Sequence, residues 1–554
     1  MIEVPLEFTR SGNTDHTGKL CSIAKERCFN YGTAGFRSLA SELPFVIFRM
    51  GYLAGLRSRY LNKVIGVVIT ASHNPECDNG VKIVDPMGEM LDMRWEQFAT
   101  NLVNCSDSEY PSKCLHLEQE LLSPSGSKFG EVICGYDTRP SSKYLAEALQ
   151  SGVSSAKCDF TLYGLLTTPQ LHYIVRCRNN PAYGEPHEDG YYQKYSNAFN
   201  AFLDTLNLNR DYSKKLIIDC ANGVGSLKLK KLLDSVRHGS IDYVLRNTSG
   251  ILNLKCGADF VKLEHKFPSG FADTVSNIRC ASVDGDADRL LYFYRDALGS
   301  FVLLDGDKIA TLLAMFFQEH LKAAGLTGTL TLAVVQTAYA NGNSVKFLKN
   351  ALGLTTKIVA TGVKHLHNEA RKYDIGIYFE ANGHGTVLFS QKFKQIIGKY
   401  CFSLESASEQ IEVKRLRHLS NLINEVVGDA MSDLLAVEAL LMFYNWTVRD
   451  WANNLYYDSP SCQLKVKVRD RLAFKTTADE TRLISPISLQ SDIDKIVAKY
   501  DEGSTILIVW VAFSFCVFRP SGTEDVVRVY AEAKTSQEAD ELASSVAELV
   551  KRCV

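Results

Sequence analysis

Four short apolar runs, each ending abruptly in a polar loop, limit what this chain can fold into. Val64–Thr70 leads into Ala71-Ser72-His73-Asn74-Pro75, and Leu216–Ile218 leads into Asp219-Cys220-Ala221-Asn222-Gly223-Val224-Gly225. Ala281–Val283 leads into Asp284-Gly285-Asp286-Ala287-Asp288-Arg289, and Ile375–Phe379 into Glu380-Ala381-Asn382-Gly383-His384-Gly385. Short β-branched runs bounded by turn residues read as buried strands. Between them, Lys308–Leu321 and Leu419–Phe443 repeat apolar residues at intervals of three and four, the period of a helix with one buried face. Strands alternating with helices define α/β domains, whose ligands sit at the carboxyl ends of the strands. A single loop of this kind is as easily an ordinary turn. Four loops of different chemical character are harder to dismiss.

At roughly 150 residues per domain, a chain of this length holds three or four domains. Turn-rich breaks at Pro181–Gly190, Leu304–Gly306 and Asn445–Pro460 divide it into 1–188, 189–304, 305–448 and 449–554. No short-period repeat or low-complexity tract interrupts this order.

Charge and cysteine usage exclude several classes of protein. Sixty-one Lys and Arg against 63 Asp and Glu leave a net charge of −2, which argues against a nucleic-acid coat or a polybasic membrane anchor. The 15 cysteines contain no C-x-x-C pair, so reduced thiols in a cytoplasmic protein are the better expectation. Thr505–Phe518 is the most apolar stretch, but it is shorter than the roughly 20 residues of a membrane-spanning helix and reads as a buried strand. Residues 1–7 carry neither a basic nor an apolar targeting run.

The loops differ in their chemistry. Asp284, Asp286 and Asp288 offer three carboxylates at i, i+2 and i+4 with Gly285 allowing a tight curl, a donor set for a hard cation such as Mg²⁺ or Ca²⁺. A calcium EF-hand would need Gly and Glu where Arg289 and Arg295 stand, so that reading fails. A solvated acidic turn remains the alternative, although Arg289 beside the triplet suits a phosphate oxygen. Ser72 and His73 do not form a hydrolase nucleophile elbow, because Thr70 and Asn74 occupy its two glycine positions. Ser72 could simply cap a helix, yet Asn74, Asn79 and Lys82 make its surroundings polar and cationic.

Two further stretches suit a sugar phosphate. Arg519-Pro520-Ser521-Gly522-Thr523, followed by Arg528, offers backbone N–H groups, hydroxyls and guanidinium forks to a phosphate monoester. Glu380 and Asn382 can each bind sugar hydroxyls, with the glycines of their loop permitting close backbone approach, and Lys364 and His365 add a cation and an imidazole. The plain alternatives are a surface turn stabilised by ion pairs for the Arg519 stretch, a core-facing Glu paired with Lys for Glu380, and an ordinary βα turn for Lys364 and His365.

Together these residues resemble the α-D-phosphohexomutase superfamily across nearly the whole chain. Tyr31-Gly32-Thr33-Ala34-Gly35-Phe36-Arg37 is similar to its N-terminal arginine loop, Thr70–Lys82 to its phosphoserine loop, and Asp284–Arg289 to its Mg²⁺ loop. Glu380–Thr386, Cys256–Lys262 and Val427–Asp433 resemble the branch acting on N-acetylglucosamine phosphates.

The resemblance implies three related α/β domains plus a C-terminal α+β domain around a central cleft. It also implies that Ser72 carries the phosphoryl group, with one Mg²⁺ on Ser72, Asp284, Asp286 and Asp288 and a sugar 1,6-bisphosphate as primer. Arg37 and Arg289 would hold phosphoryl oxygens, and Lys82 or His73 would act as general acid/base. Lys364, His365, Glu380, Ala381, Asn382, Arg519–Thr523 (Pro520, Ser521 and Gly522 among them) and Arg528 would bind substrate. The partner is then a small sugar phosphate, with no nucleic acid or membrane, and the chain a monomer or weak homo-oligomer. Three rivals stay open: a mutase for glucose, mannose or glucosamine phosphates, a catalytically silent sugar-phosphate scaffold, and a Mg²⁺-dependent phosphatase.

Overall fold

The run Val64–Ile69 is buried at all six positions, and burial on both faces is what a central strand flanked by helices demands. In the computed structural model of the protein, residues 3–122, 130–206, 213–403, 407–470, 473–500, 504–508 and 526–552 are described. The first sheet contains β1 (Phe36–Leu39), β2 (Val64–Ile69), β3 (Asp78–Val84), β4 (Glu131–Tyr136) and β5 (Asp159–Leu165), in the order β1-β3-β2-β4-β5. Strands β2, β4 and β5 run parallel, whereas β3 pairs antiparallel with both β1 and β2. Helices Pro44–Leu61 and Ser142–Ser155 pack against each other beside this sheet, and helix Thr168–Asn179 packs on β2.

The second sheet repeats the plan with β6 (Lys215–Asp219), β7 (Asp242–Arg246), β8 (Arg279–Val283), β9 (Leu290–Arg295) and β10 (Phe301–Leu304), ordered β10-β9-β8-β6-β7. The third comprises β11 (Leu332–Thr337), β12 (Thr355–Val359), β13 (Ile375–Phe379) and β14 (Gly385–Phe389), ordered β12-β11-β13-β14. In both, two parallel contacts are followed by an antiparallel hairpin, β8–β9 or β13–β14. The apolar runs read from the sequence are therefore β2, β6, β8 and β13, and each polar loop leaves a strand's carboxyl end.

The C-terminal region is α+β. Its antiparallel sheet joins β15 (Ser461–Lys467), β18 (Ser504–Ile508) and β19 (Val526–Glu532) in the order β15-β19-β18, and β16 (Lys475–Thr476) pairs with β17 (Leu483–Ser485). Of the apolar stretch Thr505–Phe518, the part up to Ile508 is strand β18, and the rest lies outside the described residues.

Residues up to 303, together with 418–445, form one compact unit; 304–417 and the described residues from 446 onward form a second. The periodicity of Leu419–Phe443 predicts one helix, but the structure has two, Ala407–Leu422 and Ala430–Tyr444. The break arises at Asp429, whose extended backbone (φ −141°, ψ 95°) lets its carboxylate accept from Met431 and Ser432 N–H as an N-cap. Helix Ala430–Tyr444 is buried from Ala430 through Met442, including Glu438, which receives Arg279 Nε at 2.8 Å and Nη2 at 2.7 Å.

No helix among the described residues is long and apolar enough to cross a membrane. Every cysteine whose side chain is described is a free thiol.

Glu438→Ala would leave the Arg279 guanidinium buried without its counter-charge. The expected loss is about 3–5 kcal/mol, seen as a lower urea midpoint by circular dichroism; an unchanged midpoint would contradict the assignment of this pair as structural.

Candidate active site

Ser72 stands three residues beyond the end of β2, with a left-handed backbone (φ +52°) that turns its hydroxyl out of the strand direction. Neighbouring groups hold it there. Its N–H donates to Thr70 Oγ1 at 2.9 Å, and Thr70 Oγ1 donates to Asp137 Oδ2 at 2.7 Å. Asp137 pairs with Arg139 at 2.9 Å, both side chains wholly buried. The Arg139 guanidinium donates to the carbonyls of Ser72 (2.9 Å), Asn74 (2.9 Å), Asp78 (2.8 Å) and Pro75. Asn253 Nδ2 adds bonds of 2.9 and 3.0 Å to the Ser72 and Asn74 carbonyls. Burial drives the Asp137 carboxyl pKa above its ordinary value, against the opposing pull of Arg139.

The serine hydroxyl donates to Asp284 Oδ2 at 2.6 Å, a residue 212 positions away on the loop after β8. Gly285 is required at this meeting point, because a Cβ there would lie 2.6 Å from the Ser72 carbonyl oxygen. Ala287 at φ +57° curls the loop, and Asp284 Oδ1 accepts the N–H groups of Asp288 and Arg289. Oxygens of Asp284, Asp286 and Asp288 thereby lie within 4.8 Å of one another, all three side chains buried. Burial, then the charges of Asp288 and Asp286, push the Asp284 carboxyl pKa well above its ordinary range. Such a cluster ionises fully only with positive charge beside it.

The donors suit a hard divalent ion. All are carboxylate oxygens. Asp286 Oδ2 takes Thr168 Oγ1 at 2.6 Å, but its buried Oδ1 receives no hydrogen bond among the described residues. An acceptor in that state fits a metal ligand.

Three cations surround the cluster. Lys82 Nζ lies 3.4 Å from Asp288 and 3.6 Å from Asp286. Arg289 pairs with Asp259, its Nε 3.9 Å from both Asp284 and Asp288. Arg37 reaches Asn74 Oδ1 at 3.5 Å, and its buried Nε has no acceptor among the described residues. The Arg37 pKa is lowered first by burial, while Asp286 acts to raise it. His73 Nδ1 is 3.4 Å from Ser72 Oγ. Burial, then Arg289 and Arg37, depress the His73 pKa to about 2, so its 3.7 Å approach to Asp259, already paired with Arg289, is that of a neutral ring.

The second unit holds the other candidate residues. Glu380 accepts Gly362 N–H on Oε1 (3.2 Å) and Asn382 Nδ2 on Oε2 (3.0 Å), so the two loops expected to read the sugar are joined. Gly306 allows the loop to sit tight, since a Cβ there would lie 2.0 Å from the Glu380 carbonyl oxygen, beside Ala381. Lys364 and His365 lie in the first turn of helix Val363–Ala370, and His365 lines a cavity of about 350 Å³ with Asn368, Glu369 and Asp479. Thr361 is tethered to Glu480 by its N–H (3.0 Å) and its hydroxyl (2.7 Å). Arg528 lies on β19 next to Tyr339, whose phenol burial pushes up to about 12 with Arg528 opposing. Arg519, Pro520, Ser521, Gly522 and Thr523 lie outside the described residues.

Asp137, Arg139, Asn253 and Thr168 are not among the residues read from the sequence, whereas Asp259 lies inside the motif Cys256–Lys262. The signal for the first two was present: the run Ile133–Tyr136 ends in Asp137-Thr138-Arg139-Pro140, a fifth apolar strand with a charged loop. Asn253 and Thr168 carry no such pattern.

This fold and site define a phosphohexomutase. Family models described as "Phosphoglucomutase/phosphomannomutase, alpha/beta/alpha domain I" and "C-terminal domain" match residues 54–108 with 115–184, and 464–549. Between them, models described as "Phosphoacetylglucosamine mutase AMG1", domains II and III, match residues 184–291 and 305–446. The phosphoacetylglucosamine mutases of Sus scrofa and Homo sapiens are each 46% identical over 93% of this chain and 92% of their own. The crystal structure of Aspergillus fumigatus N-acetylphosphoglucosamine mutase in complex with GlcNAc-6P and magnesium is 42% identical, with a TM-score of 0.87 over 96% of this chain and 97% of its own. The chain belongs to the phosphoacetylglucosamine mutase family.

Two measurements follow from this geometry. Gly285→Ala should separate the serine loop from the carboxylate loop and lower mutase kcat by at least about 100-fold, with the circular dichroism spectrum retained; near-normal turnover would show that the close approach is not needed. His73, depressed from 6.5 to about 2, leaves the folded state holding fewer protons than the unfolded one between those values, so its neutrality costs stability as pH falls through that window. Its imidazole NMR shifts should stay flat from pH 8 to 5, and a midpoint near 6.5 would refute the burial argument.

Proposed function

We propose that the protein interconverts N-acetylglucosamine 6-phosphate and N-acetylglucosamine 1-phosphate through a 1,6-bisphosphate, in a route to UDP-N-acetylglucosamine. The observation that carries this reading is the 2.6 Å bond from Ser72 Oγ into a buried cluster of three carboxylates. A phosphorylated serine adds a dianion beside carboxylates that Arg37, Lys82 and Arg289 offset only in part, Arg289 being shared with Asp259. A divalent cation offsets the added charge.

Asp284, Asp286 and Asp288 would hold Mg²⁺ beside Ser72, where the ion supplies charge neutralisation for phosphoryl transfer. Phospho-Ser72 gives its phosphoryl group to the free O1 or O6 of the sugar monophosphate, and the resulting bisphosphate returns its other phosphate to Ser72. Arg37 and Arg289 hold equatorial phosphoryl oxygens. Burial and the flanking Arg289 and Arg37 lower the His73 pKa, which makes Lys82 the group better suited to hold or deliver a proton at the sugar oxygen. Glu380, Ala381 and Asn382 bind sugar hydroxyls, with Lys364 and His365 alongside. The loop Arg519 to Thr523 and Arg528 grip the distant phosphate, whose binding orients whichever oxygen faces the serine.

The same reading assigns four domains, 1–188, 189–304, 305–448 and 449–554, to the serine, metal, sugar and phosphate loops. A sugar 1,6-bisphosphate primes the serine, in keeping with an A. fumigatus relative solved in complex with glucose 1,6-bisphosphate. We further propose a cytoplasmic monomer or weak homo-oligomer that binds neither nucleic acid nor membrane.

Turnover of N-acetylglucosamine 6-phosphate with Mg²⁺ and bisphosphate primer should be measured for the parent and Ser72→Ala. The parent should turn over and gain one phosphoryl mass, while Ser72→Ala does neither. Preference for a non-acetylated hexose phosphate would move the substrate assignment to another mutase, and release of inorganic phosphate would indicate a phosphatase.

A further inference from the structure

The motif Val427–Asp433 has no chemistry in the reading above, yet it leads into a helix that touches the metal-loop hairpin at two places. At the start of helix Ala430–Tyr444, Ala430 N–H donates to the Ala287 carbonyl at 3.1 Å. Ala287 lies between Asp286 and Asp288 and holds the loop's left-handed turn. Two turns further on, Glu438 accepts from Arg279, the first residue of β8, and from Tyr292 of β9 at 3.1 Å. Those strands are the two arms of the hairpin whose tip is the carboxylate loop.

The helix start is itself held firmly. Asp429 accepts Met431 N–H (3.1 Å), Ser432 N–H (3.3 Å), Asn424 Nδ2 (2.8 Å) and Tyr191 Oη (2.9 and 2.7 Å to its two oxygens). On the neighbouring peptide of the loop, Thr168 N–H donates to the Asp286 carbonyl at 3.2 Å.

We infer that helix Ala430–Tyr444 is a brace for the metal loop, with Ala430, Asp429 and Tyr191 as positioning residues; the inference rests on reading Asp284, Asp286 and Asp288 as metal ligands. The turn at Ala287 is what folds Asp286 and Asp288 toward Asp284. Like charges at this spacing repel, so the uncomplexed loop tends to open. A fixed N–H on the Ala287 carbonyl opposes that opening, and the positive end of the helix dipole favours nearby negative charge. The brace thus meets part of the ordering cost before a cation arrives.

Ala430→Pro breaks the contact. Ala430 is the first helical residue, where proline is tolerated, and Asp429 before it is already extended, so the helix can keep its start while the ring Cδ replaces the N–H and displaces the Ala287 carbonyl. Mg²⁺ binding should be measured by calorimetric titration on the full chain, with unfolding temperature recorded in EDTA. Ala430→Pro should raise the Mg²⁺ dissociation constant roughly tenfold and recover kcat at excess Mg²⁺, with a cooperative unfolding transition in EDTA showing that the variant is folded. Tyr191→Phe, which removes one support of the cap, should weaken Mg²⁺ roughly threefold. If Ala430→Pro does not fold, Tyr191→Phe decides alone. Parent-like Mg²⁺ affinity in the folded variants overturns the brace while leaving the functional reading intact. A parent chain that binds no Mg²⁺ overturns both.

Discussion

Three carboxylates are buried together at the tip of one hairpin, and a serine hydroxyl from a different sheet donates into them. Isolated, such a cluster would be among the costliest features a protein can hold. Here the surrounding groups are arranged to offset it. Lys82, Arg37 and Arg289 converge from three separate strand ends and loops. Backbone N–H groups of Asp288 and Arg289 satisfy Asp284, and Thr168 satisfies one oxygen of Asp286. The buried Asp286 Oδ1 receives no hydrogen bond among the described residues, the state of an acceptor suited to a cation.

The same constraint explains why the serine loop is so heavily clamped. Ser72 occupies a left-handed conformation that a side chain adopts at a cost of roughly 1–2 kcal/mol. Arg139, buried against Asp137, grips four carbonyls of that loop, and Asn253 grips two from the side of the second sheet. A hydroxyl held this firmly loses little entropy on reaching a reactive geometry. The sugar loop in the second unit is held by similar means, through Glu380 to Gly362 and through the close approach at Gly306.

Much of the architecture was legible because strand periodicity and loop chemistry are local properties. The runs beginning at Val64, Leu216, Ala281 and Ile375 could be read as strands from a few consecutive side chains, and the carboxylates at 284, 286 and 288 announced a hard-cation donor set. Asp137 and Arg139 lay in the same pattern without being singled out. Asn253 and Thr168 could not be read, because an isolated polar residue acquires meaning only from what the fold brings beside it. The helix predicted over Leu419–Phe443 failed at Asp429 because a single capping carboxylate outweighed the apolar period on either side.

The sequence alone determined the α/β class, the strand-end loops and the types of ligand atom each loop offers, since these depend on side-chain chemistry and spacing within a few residues. Only the tertiary structure decided that Ser72 meets Asp284, that burial lowers the His73 pKa, and that helix Ala430–Tyr444 returns to the carboxylate hairpin. Those outcomes depend on burial and on contacts between segments more than a hundred residues apart. Neither quantity is written in any local stretch of the chain.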